Sequence, residues 1–139
     1  MEDRYLFKAK RIDNEEWVQG ALFNGESHCI IGQEIKFSPY TEHECKIVGH
    51  EVDRDTICQC TGLKDKNGKL IWENDIVRDE QGNFYKAFWQ NNYYQFSWVC
   101  VKTDVFLIGT KWDLWSIKSF EIEVIGNKFD NPELLESEE

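Results

Sequence analysis

Proline and methionine are scarce in this chain of 139 residues, at two and one, and glycine is held to nine. So small a supply of Pro and Gly leaves little room for long linkers or disordered segments. No window of about 18 apolar residues occurs, so no membrane-crossing helix is expected. The opening MEDRYLFKAK carries acids where a secretory leader needs positive charge, and no apolar stretch follows it. Basic residues are in deficit, 16 against 26 acidic, for a net charge of −10. The deficit deepens along the chain, from 10 basic against 13 acidic over residues 1–70 to 6 against 13 over residues 71–139. Asp130, Glu133, Glu136, Glu138 and Glu139 have no basic neighbour. Such a surface repels a phosphate backbone and disfavours nonspecific nucleic-acid binding. It suits solubility, a basic protein partner, or mimicry of nucleic acid. Gly62 and Gly68 are too isolated to form a phosphate-cradling loop, and no serine elbow is present. Five cysteines without a leader read as reduced thiols in a cytoplasmic protein.

The chain is rich in aromatics, with six Trp, nine Phe and five Tyr, and its hydrophobic fraction of 41% is enough for a real core. Most of it reads as strand. Arg4–Lys10 and Glu16–Phe23 form a hairpin pattern, and Asn24-Gly25 follows as a turn. Cys29–Ile31, Glu34–Phe37 and Cys45–Val48 are further short strands, with Ser38-Pro39 as a break. Asn83–Trp89 and Tyr93–Val101 are aromatic strands separated by Asn91-Asn92. Phe106–Ile108 is a short apolar run. Trp112–Lys118 is assigned a short helix, and Glu121–Ile125 alternates as a strand ending at Gly126-Asn127. Asn131-Pro132-Glu133 matches a helix start, so a turn or two should run from Pro132 to about Glu138. The fold class is mainly β: a small twisted barrel or strongly bent antiparallel sheets, with one or two short helices. The length fits one compact domain, 1–139, or two lobes within it, 1–60 and 61–129, followed by a short acidic tail over 130–139.

The most patterned run is TGLKDKNGKLIWENDIV, Thr61 to Val77. Asn67-Gly68 is a strong hairpin signal, since both residues tolerate left-handed backbone, and Lys64, Asp65, Lys66 and Lys69 suit a solvated loop tip. Leu70-Ile71-Trp72 resumes an extended run. Glu73-Asn74-Asp75 is a second turn that delivers Ile76-Val77 into the next strand. Its acids read as turn formers, because Asp side chains bond nearby backbone N–H groups.

Three motifs resemble the YopX-like proteins. They are Arg4-x-x-Phe7-x-x-Lys10-Arg11 with Trp17-Val18-x-Gly20, the run Thr61–Lys69 with Ile71–Val77, and Glu123–Asn127 with Asp130–Leu135. The family usually has Gly where Asn74 stands here, and Asn is the other residue that accepts left-handed backbone, which supports a turn. The resemblance spans nearly the full chain. It implies a β-rich fold and a phage or prophage setting, and it hands over no catalytic residues.

Four constellations could carry chemistry. His28-Cys29, His43-x-Cys45, His50 and Cys58-x-Cys60 have the side chains that zinc prefers. On a strand, however, a Cys-x-Cys spacing sets the thiols about 7 Å apart, too far to chelate. They read as small core residues, and no metal or cofactor is expected. Glu73 and Asp75 lack the convergent partners that acid–base catalysis needs. Tyr93, Tyr94, Phe96 and Trp98 could stack bases, but only Lys86 and Lys102 accompany them. On Asn83–Trp89, Tyr85, Ala87 and Trp89 share one face while Phe84 and Phe88 flank Lys86 on the other. Both faces therefore need cover, and Phe84, Lys86 and Phe88 are the candidate interface residues. The expected role is binding of a host or phage protein, or self-assembly, without catalysis. The rivals are a nucleic-acid-binding barrel and an acidic inhibitor that mimics nucleic acid.

Overall fold

A computed structural model describes residues 3–41, 43–105 and 107–135. The chain divides into two compact units, Met1–Cys60 and Thr61–Glu139. The first unit is built on strands β1 (Phe7–Lys10), β2 (Trp17–Asn24), β3 (Cys29–Phe37) and β4 (Cys45–Val52). They lie antiparallel in the order β4-β3-β2-β1, and β5 (Cys58–Lys64) follows β1 through the pairs Phe7↔Gln59 and Lys8↔Cys58. The two strands expected from Cys29 and from Glu34 are one strand. The irregularity between them is a bulge at Gly32/Glu34, where β3 gains a residue over β4. Of the unit's two 3-10 turns, Asp3–Tyr5 and Arg54–Thr56, the second is capped by the Asp53 carboxylate, which accepts from the Asp55 N–H. Ala9, Cys29, Ile31 and Val52 are buried, with Phe7, Val18, Leu22 and Ile57 packed against them. β3 and β4 approach closely at Gly49. A Cβ there would stand 2.2 Å from the Ile31 carbonyl oxygen and 2.8 Å from the Gly32 Cα.

In the second unit, the end of β5 runs beside β6 (Leu70–Trp72). A five-stranded antiparallel sheet follows, in the order β10-β9-β8-β7-β11. Its strands are β7 (Asp75–Arg78), β8 (Phe84–Gln90), β9 (Gln95–Lys102), β10 (Lys111–Asp113) and β11 (Glu123–Asn127). Helix α1 (Leu114–Lys118) begins two residues later than the sequence suggests, because the Asp113 side chain caps it by accepting from the Ser116 N–H at 2.8 Å. Pro132–Leu135 is one 3-10 turn; the rest of the helix expected there lies outside the described residues, as does Phe106 of the apolar run 106–108.

The core of this unit joins Ile71, Val77, Tyr85, Ala87, Trp98, Cys100, Ile117 and Ile122. Tyr85 meets Trp112 edge-to-face at 5.2 Å, and Trp112 meets Phe120 at 5.8 Å. Part of the aromatic surplus is spent here, where each ring buries a large apolar area, whereas Tyr5, Tyr40, Tyr93, Tyr94 and Trp115 are exposed. The mainly β class holds, with antiparallel sheets and almost no helix, but the sheets are not closed into the barrel that was one of the two expected architectures. Among the described residues, β4 and β6 end one sheet and β10 and β11 the other, and the strand registers shift at bulges at Gly32/Glu34, Phe84/Tyr85 and Val124/Gly126.

Candidate functional site

The carboxylates of the second unit are committed to its turns. The Asp65 backbone N–H bonds the Lys69 carbonyl at 2.8 Å, and the Gly68 N–H bonds the Asp65 carbonyl at 3.0 Å. Gly68 has φ +82. That pattern is a three-residue hairpin loop with its left-handed position at Gly68 alone; Asn67 is not among the positive-φ residues. Asp65 Oδ1 accepts from the Asn67 and Lys69 N–H groups, both at 2.9 Å, and Oδ2 accepts from the Val124 N–H at 3.0 Å. Burial alone would raise this carboxyl, but the three amides outweigh it and hold the group below its ordinary value.

Asp79 repeats the device. Its N–H bonds the Asn83 carbonyl, Gly82 has φ +87, and Oδ1 accepts from the Gln81 and Asn83 N–H groups. Oδ2 accepts from Asn83 Nδ2 and from the Tyr85 hydroxyl, both at 2.8 Å. Burial opposes the charge here too, and these bonds overcome it, so the Asp79 carboxyl titrates low. Burial first, and then Asp79, push the Tyr85 hydroxyl well above its usual range. The shared signature Asp-x-x-Gly, in Asp65–Gly68 and Asp79–Gly82, stands in the sequence, and the Asn-Gly signal captures only half of its first copy and none of its second.

Glu73, Asn74 and Asp75 form the turn between β6 and β7. Asn74 has φ +71, and the buried Asp75 accepts from the Trp72 N–H at 2.8 Å. Cys29, Cys58, Cys60 and Cys100 are buried, Cys45 is exposed, and none of the five is in a disulfide. Cys58 donates to the Thr56 carbonyl at 3.3 Å, and Cys29 to Asn24 Oδ1 at 3.1 Å. His28 hydrogen-bonds Glu51 at 2.5 Å. Among the described residues, no three His, Cys, Asp or Glu side chains converge as a metal site.

Phe84, Lys86 and Phe88 lie on the face of β8 away from the core, and each is half-buried rather than open. Lys102 Nζ sits 5.0 Å from the centre of the Phe84 ring, and Ile76, directly opposite Lys86 on this face, is fully buried. The aromatic patch expected there is thus partly covered within the chain.

A more open apolar face lies in the first unit. The pairs Phe23↔Ile30, Ile35↔Ile47 and Phe37↔Cys45 place these side chains on one side of β2–β3–β4, and the buried Ile31 and Cys29 occupy the other. Phe23, Ile30, Ile35, Phe37 and Ile47 are between 36% and 74% exposed, far above core values. All but Phe37 border one or both of two shallow clefts of about 550 and 370 Å³, which share Phe23 and Ile47 as walls. β4 is a terminal strand of its sheet; beyond β1, Arg11 bridges its last residue Val52 and the Ile12 N–H bonds the Glu51 carbonyl, and the remainder of its outer edge faces no strand among the described residues.

The sequence model of the family described as "YopX protein" matches residues 6–136. No curated protein matches. Among solved structures, the chain is similar to the one described as the crystal structure of protein EF1440 from Enterococcus faecalis. The identity is 27% and the TM-score 0.58, over 94% of this chain and 96% of that one.

Proposed function

We propose that this chain, which belongs to the YopX protein family, is a non-catalytic binding protein of a phage or prophage that works in the bacterial cytoplasm by protein–protein association, its own copies included. The observation that carries this reading is the exposed apolar face of β2–β3–β4, formed by Phe23, Ile30, Ile35, Phe37 and Ile47. Contiguous apolar area of this kind on a charged protein marks an interaction surface. With β4 at the edge of its sheet, two copies related by a two-fold axis could cover both the face and the edge at once. The non-catalytic part is supported by the occupation of Asp65, Asp75 and Asp79, whose oxygens are taken up by backbone amides and neighbouring side chains. The phage setting rests on the family resemblance.

Light scattering tests the association. The wild type at micromolar concentration should have the mass of a dimer or larger, and Ile35→Asp should be a folded monomer, because Ile35 is 54% exposed and leaves the core untouched. A wild-type monomer would remove self-association. A foreign protein partner would then be the form of the reading still to test.

A further inference from the structure

Five of the six basic residues after Ile71 gather on or beside one side of the second unit's sheet. Directly opposite residues of an antiparallel pair share a face. The pairs Arg78↔Phe84 and Phe84↔Lys102 form one row across that side, and Ile76↔Lys86, Lys86↔Val99 and Lys111↔Val99 form the next. The core residues Tyr85, Ala87, Trp98 and Cys100 take the opposite face and are fully buried. Lys128 lies just beyond β11, near enough to Lys86 to disfavour its charge. The acid on these rows is already engaged, since Glu123 pairs with Arg78 at 3.1 Å and with Lys66 at 3.9 Å; Asp113, opposite Ser97 on the neighbouring row, caps α1. Lys86, Lys102, Lys111 and Lys128 make no ion pair with a described acid. In a chain of net charge −10, this face is locally positive.

We propose that the outer face of β7–β8–β9–β10, with Lys86, Lys102, Lys111 and Lys128 around the half-buried Phe84 and Phe88, docks a short acidic protein segment in extended conformation. Charge complementarity sets the sign of the partner. Strands are about 4.8 Å apart, so Lys86 and Lys111 are separated by about 10 Å at the backbone, and flexible lysine stems span the remainder. Alternate acids of an extended segment lie about 7 Å apart and meet such a spacing.

Two features disfavour single-stranded nucleic acid on the same face. The half-buried Phe84 ring already carries the protein's own Lys102 against it, a position that a stacking base would have to contest. A polyanion longer than the patch would also run into the field of a strongly acidic protein, whereas a short segment confines its charge to the lysines. Lys86 adds a physical argument. Burial, and then Lys128, hold its ammonium below the usual range. An unanswered, half-buried cation of this kind costs the isolated fold and is relieved by an incoming carboxylate.

The probes are a fluorescently labelled octaglutamate peptide and a labelled oligothymidylate of the same length, at low and at physiological salt. The peptide should bind, more weakly as salt rises. Lys86→Gln with Lys128→Gln should weaken it about ten-fold or more, while the thermal midpoint stays level or rises. Lys102→Gln with Lys111→Gln, both exposed positions, should weaken it similarly. No peptide binding at low salt, unchanged affinity in both double variants, or oligothymidylate binding as tightly as the peptide would overturn the proposal. Ile35→Asp should leave peptide binding unchanged, so this surface and the association of the first unit fail or succeed separately.

Discussion

Replacing Asp79 by Ala removes the acceptor of four hydrogen bonds at once. Two of the donors, the Gln81 and Asn83 amides, belong to the loop, and the Gln81 amide is close enough to solvent to find water. The other two are the side chain of Asn83, 2% exposed, and the hydroxyl of Tyr85, 0% exposed. A buried donor left without its partner costs about 1.5 kcal/mol, and more where the lost acceptor was charged, so Asp79→Ala should cost about 3 kcal/mol. Tyr85→Phe alone removes one donor and leaves Asp79 bonded to Asn83, for about 1 kcal/mol. The double variant should lose less than the two singles together, by about 2.5 kcal/mol, because once Tyr85 is replaced by Phe there is no hydroxyl to strand and no bond to it left to lose. Urea denaturation at constant m-value measures all three. The folded Asp79 carboxyl titrates below its ordinary value of 3.8, so the unfolded chain binds the extra proton first as pH falls. Its contribution is therefore complete above about pH 4 and lost as pH drops through the lowered folded value, and the gap between wild type and Asp79→Ala should close over that range. A cost under about 1 kcal/mol, additive singles, or a gap that is flat with pH would refute the reasoning.

Two glycines should respond in opposite proportion to their backbone angles. Gly68→Val, at φ +82 with open space around it, should cost about 1 kcal/mol or slightly more, whereas Gly49→Ala should cost about 3 kcal/mol because its Cβ meets the β3 backbone; thermal unfolding giving the reverse order would contradict this. Trp98 is fully buried and its Nε1 has no acceptor among the described residues, so Trp98→Phe should cost about 1 kcal/mol or less, the smaller ring's void being offset by loss of the stranded N–H. A loss above about 3 kcal/mol in urea denaturation would mean that the nitrogen is bonded after all.

The turns could be read from the sequence because turn chemistry is local. Asn74 announces its left-handed backbone by residue type, and Gly68 does so through its neighbours. The apolar face of the first unit could not be read in this way. Ile30 and Ile35 are five residues apart, an odd spacing that puts them on opposite sides of a regular strand, yet the bulge at Gly32/Glu34 returns both to one side. The lysine row escaped for a different reason. Period-2 alternation sorts Lys86 to the outer face, but bringing Lys111 into line with it requires the registers of β8 with β9 and of β9 with β10, and one sequence does not state them. Half-burial of Phe84 was hidden likewise, since the Lys102 that covers it comes from the next strand.

Asp65 divides its two oxygens between very different reaches of chain. Oδ1 closes a loop of four residues, whereas Oδ2 holds the Val124 amide, 59 residues onward. The entropy of closing the longer loop exceeds that of the shorter by about 2 kcal/mol. The local bonds are thus the easier to form, and they hold the carboxylate in the orientation that the Val124 amide meets. The hairpin tip carries a preset acceptor for β11, one that the strand can leave and rejoin without the turn being rebuilt.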